Sequence, residues 1–263
     1  MRFPSLMTGL LLSLVSLVAC KKTNDIDVAQ LPGDGGNEDQ HLPDCSSLSR
    51  SNTRGPVMAP VGRLDGACFW IDQSEVTIAQ YQEFGANSPS DIANLDACKG
   101  TNPDFAPSAD VDLSKSSDPV AGIDWCDAAA FCAWAGKTLC GSYQYGELAV
   151  SSYESTCTDG ENAGFDYNTF TQGDTCNGNA ATATVPVKSN QGCVTPTLVF
   201  DLVGNVREWT SECDSSTCAS RGGSFRSTGS DWGCKAKKSR SRTFTSVDLG
   251  FRCCAEDIKV DGG

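Results

Sequence analysis

Fifteen cysteines beside a single histidine constrain this 263-residue chain more than any other feature. Dense cysteine serves either disulfides or zinc, and spacing together with companion ligands tells the two apart. No Cys-x-x-Cys occurs, and the one histidine, His41, lies in a polar N-terminal stretch, so zinc is disfavoured. Disulfides require an exported chain, and the first 20 residues read as an export signal. Arg2 is their only charge, an apolar run spans Leu6 to Val18, and small Ala19 precedes Cys20. That run is too short to cross a bilayer. Setting Cys20 aside leaves fourteen cysteines, an even number that permits seven bridges with no thiol left over.

The ending Leu17-Val-Ala-Cys20 resembles a bacterial lipobox, in which the peptide is cut before the cysteine and the new N-terminal thiol is lipidated. Residues 1–19 are then a lipoprotein signal peptide, and acyl chains on Cys20 anchor the protein to a membrane without spanning it. Lys21 rather than Asp after the cysteine points to the outer membrane. The mature chain carries 19 Lys+Arg against 33 Asp+Glu, a net of −14, which excludes nucleic acid as a partner. Residues 20–44 hold Asp25, Asp27, Pro32-Gly-Asp-Gly-Gly36 and Glu38-Asp39 with few large apolar groups, and read as a lipidated, flexible, acidic tether. Residues 45–263 form one domain with its core at about 66–255, a length that buries a sizeable interior.

Local signals place two helices. Phe69-Trp-Ile-Asp begins a short strand, and Thr77 with Gln80 three residues on makes a capping box. Val76 and Tyr81 are placed for a hydrophobic staple, and Gly85 suits the helix end. A second helix runs from Asp124 as cap to Gly136, with Trp125, Ala129 and Cys132 on a face expected to be buried. Residues 155–197 are rich in Gly, Asn, Thr and Asp and read as loop held by cross-links.

Three blocks carry a family resemblance: Asp201-Leu-Val-Gly-Asn-Val-Arg-Glu-Trp-Thr210, Arg221-Gly-Gly-Ser-Phe225 and Gly250-Phe-Arg-Cys-Cys254. With Glu75-Val-Thr77, Asp118-Pro-Val120 and Gly136-Lys-Thr-Leu139, they resemble the formylglycine-generating enzymes, or sulfatase-modifying factors. These oxidases convert a sulfatase cysteine into a catalytic aldehyde. The resemblance implies an α+β fold of low regular secondary structure, similar in shape to C-type lectin domains, with Val185-Pro-Val187 as a short strand. It also implies bridges between Cys132 and Cys253 and at Cys234, while Cys140 departs from the family's proline and Cys254 is an extra cysteine with no assigned partner.

Two carboxylates, Asp201 and Glu208, bracket a Gly-Asn turn whose carbonyls can face a hard cation, and oxygen ligands of that kind suit calcium. By resemblance a structural calcium is held by Asp201, Gly204, Val206 and Glu208; the competing reading is a tight turn with flanking acids. Active family members hold copper(I) on two cysteine thiolates in the loop after the Gly-Gly-Ser motif. Here Arg226, Ser227, Thr228, Gly229, Ser230, Asp231, Trp232 and Gly233 contain no cysteine. Serine cannot substitute, because its hydroxyl is hard and stays protonated at neutral pH. Cys234 is a weak catalytic candidate and a better disulfide partner.

Arg207 stands where active members place a groove-lining tryptophan, and reads either as a ligand contact or as a solvated surface cation on a strand. Arg226, Asp231 and Trp232 occupy the loop that would carry the copper cysteines, and with Arg207 they are the candidate ligand pocket. Cys213 and Cys218 are spaced to close a hairpin bridge, and four intervening residues without a helix signal argue against a redox pair. The basic run Lys235–Arg242 reads either as a solvated strand edge or as a patch for an anionic partner such as a polysaccharide or lipid headgroup. No triad or phosphate-cradling loop is present. The expected function is an envelope lipoprotein whose domain has lost copper-dependent oxidation and binds a protein, peptide or glycan. The alternative is an oxygen-dependent oxidase acting on a protein cysteine, with Cys234 recruited to a rearranged site.

Overall fold

The computed structural model describes residues 42–51, 54–87, 98, 105–145, 148–162, 175–178 and 180–258. The expected signal peptide, Cys20 and the tether through residue 41 lie outside them. Packing starts just before Cys45: Leu42 is buried, and Pro43 lies so close to Gly62 that a side chain there would meet its carbonyl at 2.7 Å.

Two four-stranded sheets and a small hairpin carry the fold. The first sheet runs in the order β1 (Met58–Gly62), β2 (Cys68–Asp72), β10 (Cys253–Ile258), β3 (Thr138–Leu139), so the last strand of the domain sits between early ones. The second runs β8 (Lys237–Ser241), β7 (Thr217–Arg221), β6 (Arg207–Cys213), β9 (Leu249–Phe251), antiparallel except for the parallel β6–β9 pair. β4 (Ser142–Tyr145) and β5 (Leu148–Ser151) form the hairpin.

Helix α1 (Ile78–Asn87) starts on the expected capping box. Thr77 N–H donates to the Gln80 side chain at 2.9 Å, and Gln80 N–H donates to Thr77 Oγ1 at 3.2 Å. The helix runs past Gly85 to Asn87, because nothing packs near that glycine and Asn87 Nδ2 donates back to the Glu83 carbonyl. Helix α2 (Trp125–Trp134) is capped by Asp124, whose side chain accepts from Asp127 N–H at 2.9 Å. Its expected buried face is partly wrong. Trp125 and Ala129 are only half-buried, whereas Ala128, Phe131 and Trp134 are buried against α1.

A third helix, α3 (Ser152–Asn162), corrects the reading of 155–197 as loop throughout. Its signal is weak because seryl and threonyl groups fill it, and Ser155, Thr156 and Thr158 spend their hydroxyls on carbonyls one turn back. Val185–Val187 forms no strand. Instead the Asn205 side-chain amide takes the place of a partner strand, accepting from Val185 N–H at 3.0 Å and donating to Val185 O at 3.1 Å.

Two interiors result. One is aromatic, built on Tyr81, Phe84, Phe131, Trp134, Trp209 and Phe251. In the other, six of fifteen residues are cysteines, so disulfide sulfur fills space that aliphatic side chains usually fill. All fourteen cysteines of the domain are bridged: 45–68, 98–126, 132–253, 140–254, 157–234, 176–193 and 213–218.

Candidate functional site

The Gly-Gly-Ser motif follows β7 and folds into a tight loop against β6 and β9. Ser227 Oγ accepts from Ser224 N–H at 2.9 Å, Ser224 Oγ donates to Asp248 Oδ2 at 2.8 Å, and Phe225 N–H donates to Asn205 O at 2.9 Å. These bonds hold the loop on one side of a cavity of about 210 Å³. Arg207 lies on β6, pinned by its N–H to the Asp248 carbonyl, and its Nη2 donates to the Asp231 carbonyl at 2.8 Å. Burial pushes the Arg207 pKa down, opposed by the nearby Asp231 carboxylate.

Of the four candidate pocket residues, Arg207, Arg226 and Asp231 line this cavity. Trp232 does not. It is 7 % exposed and packs in the cysteine-rich interior, so close to Gly178 that any side chain there would overlap its ring. The cavity gains Lys238 and Arg240 instead. Both belong to β8, where alternate residues share a face, so a period-two reading of the basic run would have found them. The rest of that run is engaged elsewhere: Lys235 pairs with Glu161 at 2.8 Å, Lys237 with Glu212 at 3.3 Å, and Arg242 donates to the Asp214 carbonyl. Lys238 pairs with Asp231.

Cys234 carries no thiol, since it is bonded to Cys157 on α3. The motif loop therefore offers hydroxyl and guanidinium groups but no soft donor, and its donor set does not fit copper(I). Cys132 bridges Cys253, and Cys213 bridges Cys218 across the β6–β7 hairpin.

Of the expected calcium residues, Glu208 belongs to β6 and faces the side opposite Arg207. Asp201 and Asn205 adopt left-handed backbone with φ of 56° and 52°, and Gly204, at φ 89°, lies where a side chain would meet the Asn177 carbonyl at 2.4 Å. The turn is as tight as the Gly-Asn sequence implied. However, Glu208 gives both oxygens to Arg252, at 2.6 Å from Nε and 2.7 Å from Nη2, with both side chains 1 % exposed. Asp201 Oδ2 accepts from Lys188 N–H at 2.9 Å. A guanidinium thus holds the position beside Glu208 that a cation would need, and in this arrangement the four residues do not fit calcium. Among the described residues no group of three or more His, Cys, Asp or Glu side chains is arranged to hold a metal ion.

Sequence reasoning missed Glu75. It is fully buried, neither carboxylate oxygen has a hydrogen-bond partner, and Asp201, Glu208 and Arg252 all lie close enough to act on its charge. Burial, reinforced by Asp201, holds its carboxyl well above the usual range. The Glu75-Val-Thr77 block contained the residue, but its neighbours come from segments remote in the chain.

Among solved structures, the chain resembles Treponema denticola variable protein 1 at 17 % identity, covering 78 % of this chain and 93 % of that one with a TM-score of 0.48. It also resembles PvdO from Pseudomonas aeruginosa at 16 % identity, covering 72 % and 80 % with a TM-score of 0.49. CarF matches at 20 % identity over 72 % of this chain and 86 % of its own, with a TM-score of 0.44. No curated protein matches the sequence. The model of the sulfatase-modifying factor enzyme 1-like domain matches residues 26–257, nearly the whole chain, and the chain belongs to that family.

Proposed function

We propose that this chain is a cell-envelope lipoprotein whose sulfatase-modifying-factor-like domain binds a ligand at the motif cavity and does not oxidise cysteine. One observation carries the reading. The loop from Arg226 to Gly233 contains no cysteine, and the first cysteine beyond it, Cys234, is bonded to Cys157. Copper(I) needs soft thiolates, and a disulfide sulfur is not one. What stands at the cavity in place of a metal pair is a set of fixed donors, the arrangement of a recognition site.

The test is a thiol count on the unreduced, denatured full chain together with a copper(I) titration of the folded protein. No reactive thiol in the domain and no tight copper binding are expected. Two thiols accompanied by tight copper binding would overturn the reading in favour of an oxidase. The anchor is tested separately by palmitate labelling. Cys20→Ala is expected to abolish the label and release the chain from the membrane fraction, and a labelled variant would sink the lipoprotein assignment.

A further inference from the structure

Arginines in an acid-rich protein find carboxylates readily, and three around the motif cavity have not. The chain holds 33 Asp+Glu against 20 Lys+Arg, and its buried arginines Arg221 and Arg252 each grip a glutamate with two hydrogen bonds. Arg207, Arg226 and Arg240 line the cavity and form no ion pair among the described residues. Arg226 rests over the Phe225 ring at 5.2 Å and Arg240 over Phe244 at 5.1 Å. Arg207 is 6 % exposed, and its buried Nη1 has no hydrogen-bond partner at all. A buried donor left unsatisfied costs about 1–3 kcal/mol, more when charged.

The two carboxylates at the cavity are already engaged. Asp231 pairs with Lys238, and Asp248 accepts from the Ser224 and Ser246 hydroxyls. Resting on the binding reading above, we propose that the cavity recognises a tetrahedral oxyanion ester, a phosphate or sulfate group carried on a larger molecule. Arg207 is its floor, with Arg226 and Arg240 as flanking forks. Geometry selects the tetrahedral anion over a carboxylate. A planar carboxylate is satisfied by one guanidinium fork, whereas these three guanidiniums come from β6, the motif loop and β8, and meet an anion that presents oxygens in several directions. A cavity of about 210 Å³ exceeds the anion itself, and Phe244, 39 % exposed, offers the carrier an apolar surface at the rim.

The experiment is calorimetric titration of the full chain at low ionic strength with inorganic phosphate, inorganic sulfate, phenyl phosphate, phenyl sulfate and acetate. Both inorganic ions are expected to bind, the phenyl esters several-fold tighter, and acetate weakest. Arg207→Met should weaken ester binding at least tenfold, and Arg240→Met, at a half-exposed position with little folding cost, should do so by a smaller factor. Inorganic ions that bind as tightly as the esters would mark a free-ion site and overturn the ester assignment. Acetate matching sulfate, no binding of any tetrahedral anion, or both variants behaving as wild type would overturn the site. These outcomes are independent of the thiol and copper measurements, so failure of the ligand class is distinguishable from failure of the non-oxidising reading.

Discussion

Glu75 is a fully buried carboxyl with no hydrogen-bond partner on either oxygen. Burial first, and then Asp201 and Glu208, push its carboxyl well above the usual range, with the Arg252 guanidinium opposing them. Asp72 and Asp201 are also raised by burial, each to about 6. For an acid whose folded pKa lies above its unfolded one, the folded state holds the extra proton. Stability is therefore full below the unfolded value and is lost as pH rises through the folded one. Each such group costs about 1.4 kcal/mol per pH unit across its window. Glu75→Gln keeps the shape and removes the titration, so its thermal midpoint should exceed that of wild type at pH 8, with the gap closing towards pH 4. Parallel midpoint-against-pH curves for the two proteins would refute the neutral carboxyl. The neighbouring fork gives a second expectation. Arg252→Met leaves Glu208 buried and unpaired and should cost about 3–5 kcal/mol in urea unfolding, while adding Glu208→Leu should recover part of the loss. Equal destabilisation in the single and double variants would mean that packing, not charge, holds this site.

At the scale of the element, α3 is held from outside. Tyr153 donates to the Leu202 carbonyl at 2.8 Å, Glu154 meets Arg221 at 2.7 Å, and Cys157 is bonded to Cys234 across 77 residues. Few of its residues favour a helix, and isolated helices of this length are marginal. Replacing both cysteines by alanine should cost about 2–5 kcal/mol and raise amide exchange first in 152–162. Unchanged exchange there would show that the helix stands on its own contacts.

The same contrast explains what could be read in the sequence. The capping box of α1 and the Asp124 cap of α2 were legible because each is complete within four residues. α3 was not, because its supports lie on β7, in the Leu202 turn and at Cys234. At the cavity, Arg207 was legible as a departure from the family pattern. Trp232 was misplaced because its direction is decided by Gly178, a neighbour in space with no local signature. The Arg252 fork, which occupies the position beside Glu208, joins residues 44 apart and has no mark in either motif alone.

Across the whole molecule, β10 joins the two interiors. Successive residues of a strand face opposite ways, so Cys253 enters the aromatic interior to meet Cys132 while Cys254 enters the cysteine-rich one to meet Cys140. These two bridges span 121 and 114 residues and fasten the end of the domain to its middle. Covalent cross-links and a bound ion respond differently to solution conditions. A structural ion present at a hundred times its Kd stabilises by about 2.7 kcal/mol, so its removal should lower the melting midpoint of a domain this size by roughly 5–10 °C. With Arg252 beside Glu208, EGTA at neutral pH should leave the midpoint where it was. Reduction followed by alkylation should abolish the near-ultraviolet circular dichroism and the cooperative transition altogether. A midpoint that falls with EGTA and recovers on adding calcium would displace Arg252 from this role and return Asp201 and Glu208 to the metal.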